Sequence, residues 1–305
     1  MYINNNMIVV IYPTGTQRSI HTRHFAAEAE LIDADIKFIT TEQFLSIPMP
    51  QWEPDTIFLI RVGAVDVMEI LHVLEQYYSK GYTIFPNVPA IKNCLKKGVF
   101  SDLCKQNDIK TPETIYFNKT YERHWKHFPF WEWGQCVIKP SQGSLGDGIY
   151  CVEGTDVAGR IEQIIKTQDE FYEDCDIIVQ QRIVNKKNIP ESIRVFCFMG
   201  EPTCSITLTN SVLDTVSNLG NGGIAGPYFP NEQLKEQCRK ICKGTGIEFT
   251  AIDFVQDQQG QYYCLEANIA PHLYRAYTIH SGKVNHPKMI FNYLLDKSKK
   301  DSILL

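Results

Sequence analysis

No stretch of this 305-residue chain approaches the roughly 18 to 20 apolar residues that a membrane helix needs. The opening Met1-Tyr-Ile-Asn-Asn-Asn-Met7 lacks the basic segment of a secretory signal. None of the ten cysteines (94, 104, 136, 151, 175, 197, 204, 238, 242 and 264) forms a Cys-x-x-Cys pair, which argues against a zinc ribbon. Cys238 and Cys242, four apart on a predicted helix, read as two thiols on one face. Basic residues are not in excess: 30 Lys and Arg face 35 Asp and Glu, a formal charge of −5. That balance argues against nucleic-acid binding driven by phosphate neutralisation. There is no Gly-Lys-Ser/Thr, hence no Walker loop, and no internal repeat. The chain reads as a cytosolic protein with neither nucleic acid nor membrane among its expected partners.

What remains is ordinary for a globular protein: 44% hydrophobic and 21% charged residues, enough for two or three modest domains. The first 86 residues alternate apolar strands (7–12, 36–39, 56–60, 82–85) with helices (24–32, 66–78), predicting a parallel α/β layer. In such layers ligands sit beyond the carboxyl ends of the strands, where Arg61 falls. Pro86-Asn-Val-Pro89 marks a boundary. A helix is expected from Ala90 to Asn107. Strands follow at 115–117, 136–139 and 177–182, with a helix at 157–167. A hairpin is predicted over 192–198 and 203–208, a glycine-rich loop over 218–226, and helices over 232–244 and 286–295. The expected organisation is an N-terminal α/β domain (1–86), a linking helix (87–112) and two α+β subdomains (113–182 and 183–305).

Three segments carry chemistry. In Ala251–Asn268 two apolar strands flank the turn Asp257-Gln-Gln-Gly260. Residues two apart on a strand share a face, so Glu266 and Asn268 project together, and hairpin pairing can bring Asp253 beside them. Two half-buried carboxylates and an amide oxygen suit a hard divalent cation; alone, the hairpin fits a solvent-facing turn equally well. In Cys136–Val152 a strand ends at Lys139 and a loop with Gly143, Gly146 and Gly148 leads into another strand. Closely spaced glycines let main-chain N–H groups cradle phosphate, although an ordinary flexible turn has the same composition. Ile177–Val184 ends in Gln181-Arg182 and can offer main-chain groups to a base edge.

Their order, Lys139 and the glycine loop, Val179-Gln-Gln-Arg182, Arg194, Asn218, then Asp253-(x12)-Glu266-Ala-Asn268, resembles the ATP-grasp superfamily. Arg61-Val-Gly-Ala64, Asn87-Val-Pro-Ala-Ile91, Lys97, Ile109–Thr114 and Ser217–Gly223 are similar to motifs of the ribosomal-protein glutamate ligase (RimK) group, whose core resembles glutathione synthetase and D-alanine–D-alanine ligase. The resemblance implies an α/β fold whose two α+β subdomains clasp ATP. It places Lys97, Lys139, Gly143, Ser144 and Gly146 around the nucleotide and its phosphates, and Gln181, Arg182 and Ile183 around adenine. Arg194 would face the transferred phosphate with Asn218 in the same cleft. Asp253, Glu266 and Asn268 would hold one or two Mg²⁺ or Mn²⁺ ions.

The chain departs from the family's pattern at Lys96, Gln181, Ser192, Val216 and His272. Glu191, beside Ser192, is the alternative ribose contact. Substrate positions are assigned to Arg61, His272 and Arg275, on the ground that a guanidinium pairs well with a carboxylate. The implied reaction is activation of a carboxylate by ATP to an acylphosphate, then attack by an amine, releasing ADP and phosphate. The expected partners are ATP, an amine such as an amino acid, and a small-molecule, peptide or protein carboxylate, and a homo-oligomer is compatible with them. Two rivals stay open: a kinase acting on a hydroxyl, and an inert ATP-binding module similar to synapsin. A Ser-His-Asp site built on His21, His24 or His280 has no support in spacing.

Overall fold

A computed structural model describes residues 7–16, 19–117, 124–141, 148–172, 175–210 and 224–301. The N-terminal layer is a parallel sheet of order β2-β1-β3-β4, formed by β1 (Ile8–Tyr12), β2 (Ile36–Thr40), β3 (Ile57–Ile60) and β4 (Thr83–Phe85). Every residue of β1 and β3 is buried. That is why both read as unbroken apolar runs: central parallel strands are covered on both faces. The connecting helices are α1 (Ile20–Ala29), α2 (Thr41–Ser46) and α3 (Ala64–Ser79). In α3, Val67, Ile70, Leu74 and Tyr77 repeat at helical spacing and all four are buried. The first helix begins earlier than the expected residue 24, because the Ser19 hydroxyl caps it by accepting from the N–H of Thr22.

The expected single helix over 90–107 is two helices, α4 (Val88–Leu95) and α5 (Lys97–Gln106), broken by an extended Lys96. The break turns Lys97 into the first residue of α5. A second, antiparallel sheet of order β5-β8-β6-β7 follows, from β5 (Thr114–Phe117), β6 (Gln135–Pro140), β7 (Tyr150–Glu153) and β8 (Ile177–Gln181), with α6 (Val157–Thr167) packed on it. The third sheet, β11-β10-β9-β12-β13, contains β9 (Glu191–Phe198), β10 (Glu201–Thr209), β11 (Ile224–Tyr228), β12 (Phe249–Gln256) and β13 (Tyr262–Asn268). Helices α7 (Glu232–Thr245), α8 (Tyr274–Ile279) and α9 (His286–Asp301) complete the chain. No helix among the described residues is long and apolar enough to cross a membrane.

Packing explains where the cleft lies. One buried cluster runs from Val9, Phe58 and Ile70 through Ile91 and Cys104 to Cys238, Ile252 and Ile269. A second joins Ile8, Leu59 and Phe25 to Phe196, Phe249 and Phe291. The parallel layer and the third sheet are thus welded through both faces. The second sheet instead keeps a core of its own, around Cys136, Ile138, Ile161, Tyr172 and Val179. It is therefore a separately packed unit, and a cleft lined by residues of all three sheets lies where it meets the rest. The buried thiols belong to these cores: the neighbouring thiols of Cys238 and Cys242, with burial, hold the pKa of Cys197 well above the ordinary value.

Candidate active site

The cleft has a volume of about 600 Å³ and draws its walls from all three sheets. Its centre is a row of three side chains across the third sheet. On β12, Asp253 lies directly opposite Arg194 of β9 and Glu266 of β13. Directly opposed residues of antiparallel strands project from the same face, so strand register alone brings these groups together. Arg194 donates from Nε to Asp253 Oδ1 and from Nη2 to Oδ2, both at 2.7 Å. Asn268 Nδ2 donates to the same Oδ2 at 3.2 Å, which leaves Asn268 Oδ1 for an outside partner. Glu266 makes no hydrogen bond or ion pair among the described residues.

Asp253 is only 6% exposed. Burial pushes its carboxyl upward, while the charge and hydrogen bonds of Arg194 pull it down. The same pairing raises Arg194 above its ordinary value despite its own burial. The pair is ionised, because protonating Asp253 would leave a buried guanidinium without a counter-charge.

A β-bulge sets this geometry. Asp253 faces Glu266, but the next residue, Phe254, faces Cys264, so Leu265 is the extra residue. Tyr262 and Cys264 point into the core before the bulge, and Ala267 and Ile269 do so after it. Glu266 and Asn268 are thereby turned into the cleft.

The second sheet contributes Lys139, at the end of β6 and 8% exposed. Its Nζ donates to Gln180 Oε1 at 2.9 Å, and Gln180 Nε2 donates to Thr114 Oγ1 at 2.9 Å. Gln180 stands opposite Val137, one diagonal step from Lys139 on the same face. Burial, then the charge of Lys97, lowers the Lys139 ammonium to about 8, against the pull of Glu266. Lys97, Gln181, Arg182, Ile183 and Glu191 line the same cleft. Gln181 N–H and Arg182 N–H already donate to Glu113 O and Gln135 O. Glu191 Oε2 accepts from Lys187 and Thr209 at the rim.

Arg61, at the end of β3, and His272, between β13 and α8, line the cleft, whereas Arg275 does not. It follows His272 by three residues, but α8 turns it outward and it is exposed. The expected carboxylate clamp at Arg275 therefore does not form part of this cleft. Gly143, Ser144, Gly146 and Asn218 lie outside the described residues. Two cleft residues escaped the sequence reading. Gln180 can be found only once the β6–β8 register is known. His21, brought against His272 with ring centroids 3.8 Å apart, lies 251 positions away in sequence.

These residues fit a hard divalent cation. Among the described residues no group of three or more His, Cys, Asp or Glu forms a metal cluster. Any cation here thus relies on the two carboxylates plus the Asn268 amide oxygen. All are oxygens, and Glu266 has no hydrogen-bond or ion-pair partner among the described residues that would compete for a cation.

A family model described as the RimK-like ATP-grasp domain matches residues 97–293. Uncharacterized protein MG012 of Mycoplasma genitalium is 25% identical over 207 residues, covering 62% of this chain and 66% of that protein's length. Among solved structures, D-cycloserine synthetase DcsG superposes with a TM-score of 0.72 at 12% identity, covering 95% of this chain and 99% of that one. The ATP-grasp ligase PsnB, complexed with minimal precursor, gives 0.69 at 14% identity, with the same coverage of 95% and 99%. At such identities the likeness is one of fold. With the family model matching well over half of its residues, the chain belongs to the RimK-like ATP-grasp family.

Proposed function

We propose that this protein is an ATP-dependent carboxylate–amine ligase working through an acylphosphate. One observation carries the reading: Arg194, Asp253, Glu266 and Asn268 converge in a cleft to which the second sheet presents Lys139. Phosphoryl transfer asks for positioning and charge neutralisation rather than a protein nucleophile. Lys139 and Lys97 supply two positive charges for the triphosphate. Gln180 aims Lys139, its own orientation fixed by Thr114. The Ile183 N–H, which has no acceptor among the described residues, serves the adenine edge, since those of Gln181 and Arg182 are already engaged. Glu191 at the rim is placed for the ribose.

Asp253, Glu266 and Asn268 would hold Mg²⁺, which when bound neutralises phosphate charge. Arg194, oriented by Asp253, faces the phosphoryl group in transit and stabilises charge developing on its oxygens. The carboxylate substrate attacks the γ-phosphorus, ADP leaves, and an amine displaces phosphate from the acyl carbon. Arg61 and His272 hold substrate on the opposite wall. Residues 113–182, as a lid, exclude the water that would hydrolyse the acylphosphate. The family resemblance assigns Asn218, Gly143, Ser144 and Gly146, which lie outside the described residues, to the phosphates. The acceptor is an amino acid, joined to a small molecule, peptide or protein carboxylate.

The test is ADP release with Mg-ATP against a panel of amino acids and short acidic peptides, followed by mass spectrometry. ADP, phosphate and a product lighter than its parents by one water support the reading. A phosphorylated product with no free phosphate replaces it with a kinase, and ATP binding without turnover with any substrate replaces it with an inert module.

A further inference from the structure

The wall of the cleft made by the parallel layer carries an uncompensated charge. Arg61 leaves the carboxyl end of β3, its backbone tied to Ile11 O. Its Nη2 donates to Pro271 O at 2.6 Å. The buried Nη1 has no hydrogen-bond partner. No carboxylate pairs with this guanidinium among the described residues. Burial alone shifts it, to about 9, so it is charged at neutral pH. A buried cation with an unused donor is costly, and an anion arriving from the cleft removes the cost.

The surroundings restrict what that anion is. Phe25 lies 4.9 Å and Phe249 5.8 Å from the guanidinium carbon, ring centroid to atom. These rings occupy its neighbourhood, so a ligand meets the guanidinium through its nitrogen edge, the approach that suits a planar carboxylate. The imidazoles of His21 and His272 flank the site. His21 Nδ1 is buried and also unpartnered. Burial, helped by the neighbouring charges, lowers His21 to about 4, so this ring is neutral at pH 7. His272 is lowered as well, first by desolvation and then by the charges of Arg61 and Arg194. One fixed positive charge among neutral donors matches a monoanion. A phosphate dianion would exceed it.

His272 also places the site. The ring lines the same cleft as Arg61 and the phosphoryl-facing Arg194, and the charges of both reach it. We propose that Arg61, with His21 and His272, forms a subsite for a substrate carboxylate that the reaction does not consume. The inference rests on the ligase reading, and it narrows the substrates. One of them carries a spare carboxylate, either as the second acid group of the molecule being activated or as the α-carboxylate of the amino acid that attacks. No bond to this group forms or breaks. Arg61 anchors it while the reacting centre lies at Arg194.

The test uses the full chain saturated with Mg-ADP, with ring resonances of labelled histidines followed by NMR. Glutarate represents the diacid, L-alanine the amino acid, butyrate a monoacid with no spare group, and inorganic phosphate the competing anion. Glutarate or L-alanine should shift His21 and His272 saturably and leave His72 unmoved. A response to glutarate assigns the subsite to the activated acid, and one to L-alanine assigns it to the acceptor. Arg61→Met should abolish the response. Because Arg61 also binds Pro271, Arg61→Lys is the companion variant: it keeps the charge, loses the fork, and should bind at least tenfold more weakly. Normal Mg-ADP binding with no response to any carboxylate overturns this inference alone. So does tighter binding of phosphate than of either acid, or undiminished binding in Arg61→Lys. Failure of Mg-ADP itself to bind overturns the ligase reading beneath it.

Discussion

Replacing Asp253 with Asn keeps the shape of the side chain and removes its charge. Arg194, whose side chain is 17% exposed, is left as a largely buried cation facing a neutral amide. Breaking one side of a buried ion pair costs about 3–5 kcal/mol. The residual exposure of Arg194 favours the lower end, about 3 kcal/mol. At about 2–4 °C per kcal/mol for a protein of this size class, the melting temperature should fall by about 6–12 °C. Removing both partners, in Arg194→Met with Asp253→Leu, eliminates the orphaned charge. That variant should return to within about 1 kcal/mol of the parent, because a well-packed apolar pair is as stable as a buried salt bridge. Neither variant should turn over Mg-ATP. Calorimetric melts at pH 7 without nucleotide, run beside an ADP-release assay, separate the two roles. The reasoning is refuted if Asp253→Asn melts within about 2 °C of the parent, or if the double variant is as unstable as the single one. Retained turnover in either would remove the phosphoryl-transfer role.

Glu266→Gln should behave in the opposite way, losing at least about tenfold in Mg²⁺-dependent turnover, about 1.4 kcal/mol, with little change in melting, because among the described residues Glu266 has no hydrogen bond or ion pair to lose. Nucleotide affinity should fall as pH rises through about 8, where Lys139 loses its proton. Bound phosphate favours the charged form, so titration calorimetry should record proton uptake near that pH. Lys139→Arg should flatten the profile. Gln180→Leu removes the acceptor that holds the ammonium, so its profile should shift to lower pH. Gly148→Ala should loosen the lid, since Gly148 has φ +66° and a Cβ there would lie 2.6 Å from Phe171 Cβ. Faster hydrogen exchange in β7 and around residues 170–172 is the expected readout, and parental protection would count against it.

How much was legible depended on how local the signal was. Helix α6 was readable over its full length because Val157, Ile161 and Ile164 repeat at helical spacing. The strands that carry Asp253 and Glu266 were readable for a similar reason: two apolar runs about a polar turn imply their own pairing. The glycine-rich stretch was read as loop through 226, yet Ile224–Tyr228 is strand β11. It contains Gly226 and Pro227, which argue against a strand but are tolerated at a sheet edge, where β11 lies. The break at Lys96 has no proline to announce it. Gln180 depends on register, and His21 on two domains meeting, so neither could be seen in a single segment. Arg275 misled because a sequence does not show which way α8 turns its side chain.

Leu265 changes the phase of β13, and this has a consequence for chain length rather than for residue identity. Replacing Leu265 alters only a wall of the cleft. Deleting it would restore simple alternation from Tyr262 onward and leave Glu266 and Asn268 on the cleft face, whereas flattening the bulge with Leu265 kept would swing both toward the packed side, where Ala267 and Ile269 now sit. An added residue in the turn at 257–260 would leave both phases intact. The bulge thus absorbs the odd, three-residue step from Cys264 to Ala267, and the strand can lose a residue in this one place and still keep Glu266 and Asn268 facing the cleft.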